Sequence, residues 1–299
     1  MILRRDWATL RGQWLTAMPT IAPPGSAPPA GLADVLDIGD FVRSAEAQAE
    51  TPLRREIPGL RPAILHEGLF LLHKASHVVS AAEKHVATGI CSWSLSSAYQ
   101  GSVFASRAVL AFLGIALVEV DGRYVLVDLW PGPPVHERRG VELGTAWPAP
   151  QLWCVGQVGH MDHRLLWLLF QRALRVARVD CWPGRAARLI GLLNAGDITR
   201  QRNLLHYRAH AWLRDDLLTF QFYDDFGDFH WTSNQDREDL DPDRDDFALQ
   251  LSFVLLKLAS LLFEDLAHLS QRLAQEWATF VAGFSETRHP TVRPPFLVR

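Results

Sequence analysis

Apolar residues recur every three or four positions through much of the chain, which is the spacing of one face of an α-helix. This pattern predicts helices at about residues 4–18, 63–86, 94–113, 163–179, 197–213 and 244–282. Glycine commonly follows the last turn of a helix, so Gly114 and Gly283 are expected to end two of them. Asp197 is expected to be the N-cap of the helix that follows it.

Two stretches in which runs rich in β-branched and aromatic residues flank a turn predict β-hairpins instead. The first, residues 116–129, contains an Asp121-Gly122 turn, and the second covers residues 218–232. Residues 19–31 are rich in proline and predict a linker. We therefore expect a mainly α fold, a helical bundle with one or two inserted hairpins. Residues 1–60 would be an N-terminal extension that packs on, or swings from, a domain of residues 61–299.

Composition is that of a soluble globular protein. The 299 residues are 48% hydrophobic and 21% charged, with a net charge of −3 that argues against coating nucleic acid by bulk electrostatics. The three cysteines form no CxxC pair, and the first residues contain no signal peptide, so we expect a cytoplasmic protein. The most apolar run, residues 249–262, is short and interrupted by polar residues, so no membrane span is predicted.

Charge is distributed unevenly. Residues 161–210 contain nine arginines and three aspartates, a balance of 9 − 3 = +6, and residues 211–250 have three arginines against twelve acids, 3 − 12 = −9. Such asymmetry can steer a polyanion to one face. On the predicted helix of residues 163–179, four arginines lie within about a third of the circumference: Arg164, Arg172, Arg175 and Arg178. The alternative is that these arginines only form an ordinary solvated face of the helix, without binding a polyanion.

The segment of residues 197–208 combines cations with a titratable group. Arg202 and His206 are four residues apart, so on a helix they share one face, with Arg200 and Asn203 nearby. A fixed cation beside an imidazole that titrates near neutrality suits cleavage of a phosphodiester. An amphipathic helix with a solvated basic edge explains the same residues without chemistry.

Other patterns are weaker. The histidine pairs His73/His77 and His206/His210 have the i,i+4 spacing of metal ligands, but no third ligand is identifiable. The acidic residues 236–246 lack the glycine and final glutamate of an EF-hand, and no phosphate-binding lysine motif occurs. We therefore predict no metal and no cofactor.

Two segments together resemble the HEPN superfamily of small helical bundles. Residues 92–114 resemble the family helix that has an aromatic residue, a phenylalanine, small residues and a terminal glycine. The run Arg-Asn-Leu-Leu-His-Tyr, residues 202–207, resembles the family's arginine-to-histidine motif. Arg200 has the family's spacing to His206, with five residues between, whereas Arg202 has the polar neighbour, Asn203, but only three residues between.

The resemblance implies a metal-independent ribonuclease, of the kind found among toxins and antiviral defence effectors. His206 would be the acid or base, Arg200 or Arg202 would stabilise the phosphate, and Asn203 would orient the imidazole. The expected RNA-binding residues are Arg164, Arg175, Arg178, Arg208 and His210. Two chains would form one composite site in a homodimer, and a cognate inhibitor or defence-system partner would be expected.

Two alternatives remain open at this point. One is a catalytically inactive HEPN-like protein that binds a nucleotide or a partner, which the ambiguous Arg–His spacing favours. The other is a helical interaction protein in which the arginines and histidines only decorate the surface.

Overall fold

A computed structural model describes residues 5–17, 31–36, 42–43, 52–88, 90–120, 122–130, 147, 149–154, 163–182, 190, 193–196, 198–200, 203 and 247–287. The chain forms two compact units: Met1–Phe70 with Arg107–Gly184, and Leu71–Ser106 with Arg185–Arg299. We call them unit 1 and unit 2. The described elements are mostly helical with a small antiparallel sheet, as predicted for a mainly α protein.

The described elements have the following bounds in chain order: β1 (Arg5–Asp6), α1 (Trp7–Ala17), α2 (Leu32–Val35), β2 (Leu53–Arg54), α3 (Leu60–Ala87), α4 (Cys91–Phe112), β3 (Ile115–Val120), β4 (Arg123–Asp128), β5 (Gln151–Cys154), α5 (His163–Val176), β6 (Ala177–Arg178), α6 (Phe247–Ala267) and α7 (Gln271–Thr287).

Helices α3 and α4 confirm the predicted helices of residues 63–86 and 94–113. Pro62 lies in the first turn of α3, where a missing backbone N–H costs nothing. In unit 2 the two helices approach closely at Gly101, where an added Cβ would lie 2.6 Å from Cγ2 of Val79. Gly114 follows α4 with φ of +75°, a conformation that favours glycine, so the predicted stop is confirmed.

The small sheet in unit 1 has the strand order β2–β5–β4–β3, with every neighbouring pair antiparallel. Strands β3 and β4 pair from Ile115↔Asp128 to Val120↔Arg123, with Gly122 in the turn, which confirms the first predicted hairpin. Strands β2 and β5 were not predicted. The second predicted hairpin, residues 218–232, lies outside the described residues.

The N-terminal helix α1 is an integral part of unit 1. Trp14 is fully buried and its indole Nε1 donates a hydrogen bond of 2.8 Å to the carbonyl oxygen of Phe112, at the end of α4. The buried Trp14 and this hydrogen bond hold α1 within unit 1.

The predicted single helix of residues 244–282 is wrong, because α6 and α7 are separated by residues 268–270. The Ser270 hydroxyl accepts a hydrogen bond of 3.2 Å from the backbone N–H of Leu273, which caps the start of α7 and competes with a continuous helix. Helix α7 also continues past Gly283 to Thr287, so that glycine is not its stop.

Helix α6 is long and apolar enough to cross a membrane by length and composition, and longer than the run of residues 249–262 considered from sequence. Its most apolar window is 78% buried within the protein, which is the environment of a core helix in a soluble protein.

Candidate functional site

Two of the four proposed catalytic residues, Arg200 and Asn203, belong to the described part of unit 2. Both are helical residues with exposed side chains, whereas Ile198 in the same stretch is fully buried. Residues three apart on one helix are neighbours on its surface, which is the arrangement that the sequence predicts for Arg200 and Asn203. A guanidinium and an amide are therefore held on the solvent side of an anchored helical segment.

The start of this segment differs from the prediction. Ala195 and Gly196 are already helical, and the Asn194 side-chain oxygen accepts a hydrogen bond of 2.8 Å from the backbone N–H of Gly196. Asn194 therefore has the role of N-terminal cap that was predicted for Asp197. The Thr199 hydroxyl donates to the carbonyl oxygens of Ala195 and Gly196 at 3.2 and 2.9 Å, which adds bonds within the first turns.

Four of the predicted site residues lie outside the described residues. They are Arg202 and His206, proposed for the reaction, and Arg208 and His210, proposed for RNA binding. Their roles stay predictions.

Helix α5 in unit 1 has one apolar and one basic side. Its buried residues include Leu166, Trp167, Leu169, Phe170, Ala173 and Leu174. On the other side Arg164 and Arg175 are exposed and Arg172 is half-buried. Arg164 and Arg175 are eleven residues apart, which on an α-helix places them about 20° apart around the axis and about 16 Å apart along it.

Arg178 was expected to extend this helical stripe, but α5 ends at Val176 and Arg178 lies in β6. It pairs in register with Asp6 of β1, since the chain leaves the helix to form this short parallel ladder. Its side chain is exposed, and its Nε lies 3.5 Å from the Asp180 carboxylate. Ion pairs this exposed are weak, so Asp180 offers little competition to a stronger anion at Arg178.

A second group of ionisable residues lies among helices of unit 2. The His73 ring of α3 meets the Phe280 ring of α7 edge to face, with centroids 5.0 Å apart. Burial lowers the pKa of His73 from its ordinary value of 6.5; Glu276 opposes this shift and His77 adds to it.

Lys257 in the middle of α6 is 9% exposed. Its burial lowers the pKa of the ammonium group from 10.5, and Glu264, two turns further on, opposes that shift. The signal for this residue was a lysine inside an apolar helical run. The signal for His73 was weaker, because its burial depends on Phe280, which is distant in the sequence.

Metal binding gains no support from the described residues, among which no three His, Cys, Asp or Glu side chains group as ligands would. This covers His73 and His77, whereas His206 and His210 are outside it.

Comparisons with known proteins add no family. No protein-family model, no curated protein and no solved structure matches the chain.

Proposed function

We propose that the chain is a HEPN-like, metal-independent endoribonuclease that uses an arginine and His206 as its reacting pair. The observation that carries this proposal is the exposure of Arg200 and Asn203 on helical residues anchored by the buried Ile198. A cation and an amide thereby face solvent in the segment that also contains Arg202 and His206. The mainly α fold and the Gly114 stop after α4 agree with the resemblance.

The chemistry needs a base for the RNA 2′-hydroxyl, an acid for the leaving 5′-oxygen and positive charge on the phosphate. His206 would move the proton, a contribution of about 10²–10⁴-fold for a well-placed general acid or base. Arg200 or Arg202 would stabilise the charge that develops on the phosphate oxygens. Asn203 would orient the imidazole or hold a phosphate oxygen. The products would be a 2′,3′-cyclic phosphate and a 5′-hydroxyl.

RNA would be held by phosphate contacts rather than by base stacking. Arg164, Arg175 and Arg178 are exposed, whereas Trp167 and Trp182, the tryptophans of the same described segment, are buried. Guanidinium groups bind phosphate oxygens in pairs and give a salt-dependent, sequence-independent affinity. Arg208 and His210 are proposed to contact RNA as well.

The proposed setting is a cytoplasmic toxin or antiviral defence effector. One Arg–His motif per chain favours a homodimer in which two motifs face each other across a two-fold axis. A cognate inhibitor or a defence-system partner would restrain such an enzyme.

The purified chain incubated with transfer RNA and mixed RNA in EDTA tests this function. We expect cleavage that His206→Ala lowers about 10²-fold or more, as loss of general acid–base catalysis would. His268→Ala is the matched control, since His268 is an exposed histidine between α6 and α7 and should be dispensable. Absence of cleavage, or equal cleavage by His206→Ala, contradicts the nuclease.

The second candidate is a catalytically inactive HEPN-like protein that binds a nucleotide or a partner. The spacing favours it, because Arg200 has the family distance to His206 while Arg202 has the polar neighbour. Arg202→Ala and His206→Ala would then weaken nucleotide binding, measured by calorimetry, while the parent protein leaves RNA intact.

A further inference from the structure

An imidazole lies at the margin of an aromatic cluster in unit 2. Phe263 of α6 meets Trp277 and Phe280 of α7, with ring centroids 5.2 and 6.0 Å apart, and Trp277 and Phe280 stack at 5.6 Å. The half-buried His73 ring of α3 closes on Phe280 at 5.0 Å and 89°. Helix α7 is therefore attached through aromatic packing to α6 and, through one titratable ring, to α3.

Few charges oppose or assist a proton on His73. Among the described residues, those that act on its imidazole are Glu276, one turn before Phe280 on α7, and His77, one turn further along α3. The neighbouring Lys74 places its ammonium 4.4 Å from the Phe104 ring centroid on α4. On α6 the residue that contacts Phe280 is the apolar Phe263, and the buried Lys257 has Glu264 as its electrostatic partner.

We infer that His73 is a pH sensor that keeps α7 packed while the imidazole is neutral and loosens α7 when the imidazole is protonated. An imidazolium needs hydration that the Phe280 ring denies it on one side. Helix α7 is otherwise amphipathic, with Leu273 and Phe280 buried and most of its remaining described side chains partly or fully exposed. This inference does not depend on the proposed nuclease.

The sign follows from linkage. Burial and His77 lower the pKa of His73 in the packed state, and Glu276 only partly offsets them, so the packed state binds fewer protons than the loosened state just below pH 6.5. Packing is therefore fully stabilised above pH 6.5 and weakens as the pH falls from 6.5 through the lower pKa of the packed state. Below that pKa the loss levels off.

Hydrogen exchange of the full chain between pH 7.5 and 5.0, corrected for intrinsic exchange rates, tests the inference. We expect the protection of α7 amides to fall with pH, by about tenfold for each unit by which the pKa is depressed. Amides of α4 should keep their protection. Protection of α7 that stays constant across this range overturns the sensor.

Three variants separate the sensor from simple packing. His73→Gln removes both the ring contact and the titratable group, so it should lower α7 protection at neutral pH and remove its pH dependence. Glu276→Gln, which removes the charge that raises the His73 pKa among the described residues, should shift the transition to lower pH and enlarge it. His268→Gln changes an exposed histidine between α6 and α7, so its α7 protection should depend on pH as that of the parent protein does. An unchanged pH dependence in His73→Gln contradicts the inference.

A titration of the unaltered chain needs no variant to fold. Histidine ring signals followed by NMR, with His73 identified through its contacts to the Phe280 ring, should give a midpoint below 6.5. A His73 midpoint at or above 6.5 overturns the proposal.

Discussion

Arg61 and His73 are ionisable side chains on the same helix, α3, yet the structure holds them in different ways. Arg61 in unit 1 is 9% exposed, and its Nε and Nη2 donate to the two Glu56 carboxylate oxygens at 3.3 and 3.0 Å. Its guanidinium lies 4.4 Å from the Trp147 ring centroid. His73 in unit 2 lies against an apolar ring, and burial dominates its titration.

The same contrast extends to other residues of each unit. In unit 1 the indole groups of Trp14 and Trp130 donate to the carbonyl oxygens of Phe112 and Leu113 at 2.8 and 2.7 Å. In unit 2 Lys257 repeats the case of His73, since burial lowers its pKa more than Glu264 raises it. Directional partners make buried polar groups stabilising, whereas burial with an insufficient partner makes stability depend on pH.

The largest expected effect is a loss of stability when Trp14 of unit 1 is replaced. Trp14→Ala removes a fully buried indole that also meets Trp147 edge to face at 4.8 Å, and should lower the free energy of unfolding by about 3–5 kcal/mol. Trp14→Phe keeps most of the packing but leaves the Phe112 carbonyl without this donor, a loss of about 1–3 kcal/mol. Urea unfolding measures both, and equal losses would show that the hydrogen bond, not packing, dominates.

A smaller loss is expected at Arg61. Arg61→Met removes the bidentate ion pair and the cation–π contact, which should lower the free energy of unfolding by about 1–3 kcal/mol. The loss is no larger because Glu56 is 60% exposed and is hydrated once its partner is gone. The matched control is Arg178→Met, where an exposed pair contributes about 0–1 kcal/mol. Similar losses of unfolding free energy in the two variants would show that the buried, ion-paired Arg61 stabilises the fold no more than the exposed Arg178 does.

The smallest effect, and the one of opposite sign, is at Lys257. Its pKa is lowered in the folded state, so at neutral pH the charged form opposes folding, and Lys257→Met should raise the thermal unfolding midpoint. The penalty disappears as the pH rises through the lowered pKa toward 10.5, so the two proteins should converge at alkaline pH. A Lys257→Met midpoint below that of the parent protein at pH 7 would contradict this account.

Strong local patterns made much of the fold predictable. In helices α3, α4 and α5 apolar residues recur at helical spacing over many turns, and the β3–β4 hairpin has an Asp-Gly turn between two mainly apolar strands. Strand β5 is four residues long and is far from β4 in the sequence, so no local sequence pattern predicts that the two strands pair. The break between α6 and α7 was missed because apolar residues continue in helical register across it, and the Ser270 cap decides the outcome.

The candidate site was predictable to a lesser degree. The exposure of Arg200, Asn203, Arg164 and Arg175 follows from amphipathic periodicity alone. Arg178 lies in a strand because it pairs with β1, more than 170 residues earlier in the chain. The helical periodicity of α5 could not predict that pairing. The environment of His73 depends similarly on α7, because only the folded chain brings Phe280 to it.

The most direct measurement of the proposed reaction compares one RNA with the same sequence containing a single 2′-deoxynucleotide at the observed cut site, both in EDTA. A transesterification that starts from the 2′-hydroxyl predicts cleavage of the all-RNA strand to a 2′,3′-cyclic phosphate and no cleavage at the deoxy position. Cutting at the deoxy position, or a requirement for added metal, would contradict the role assigned to the Arg–His segment.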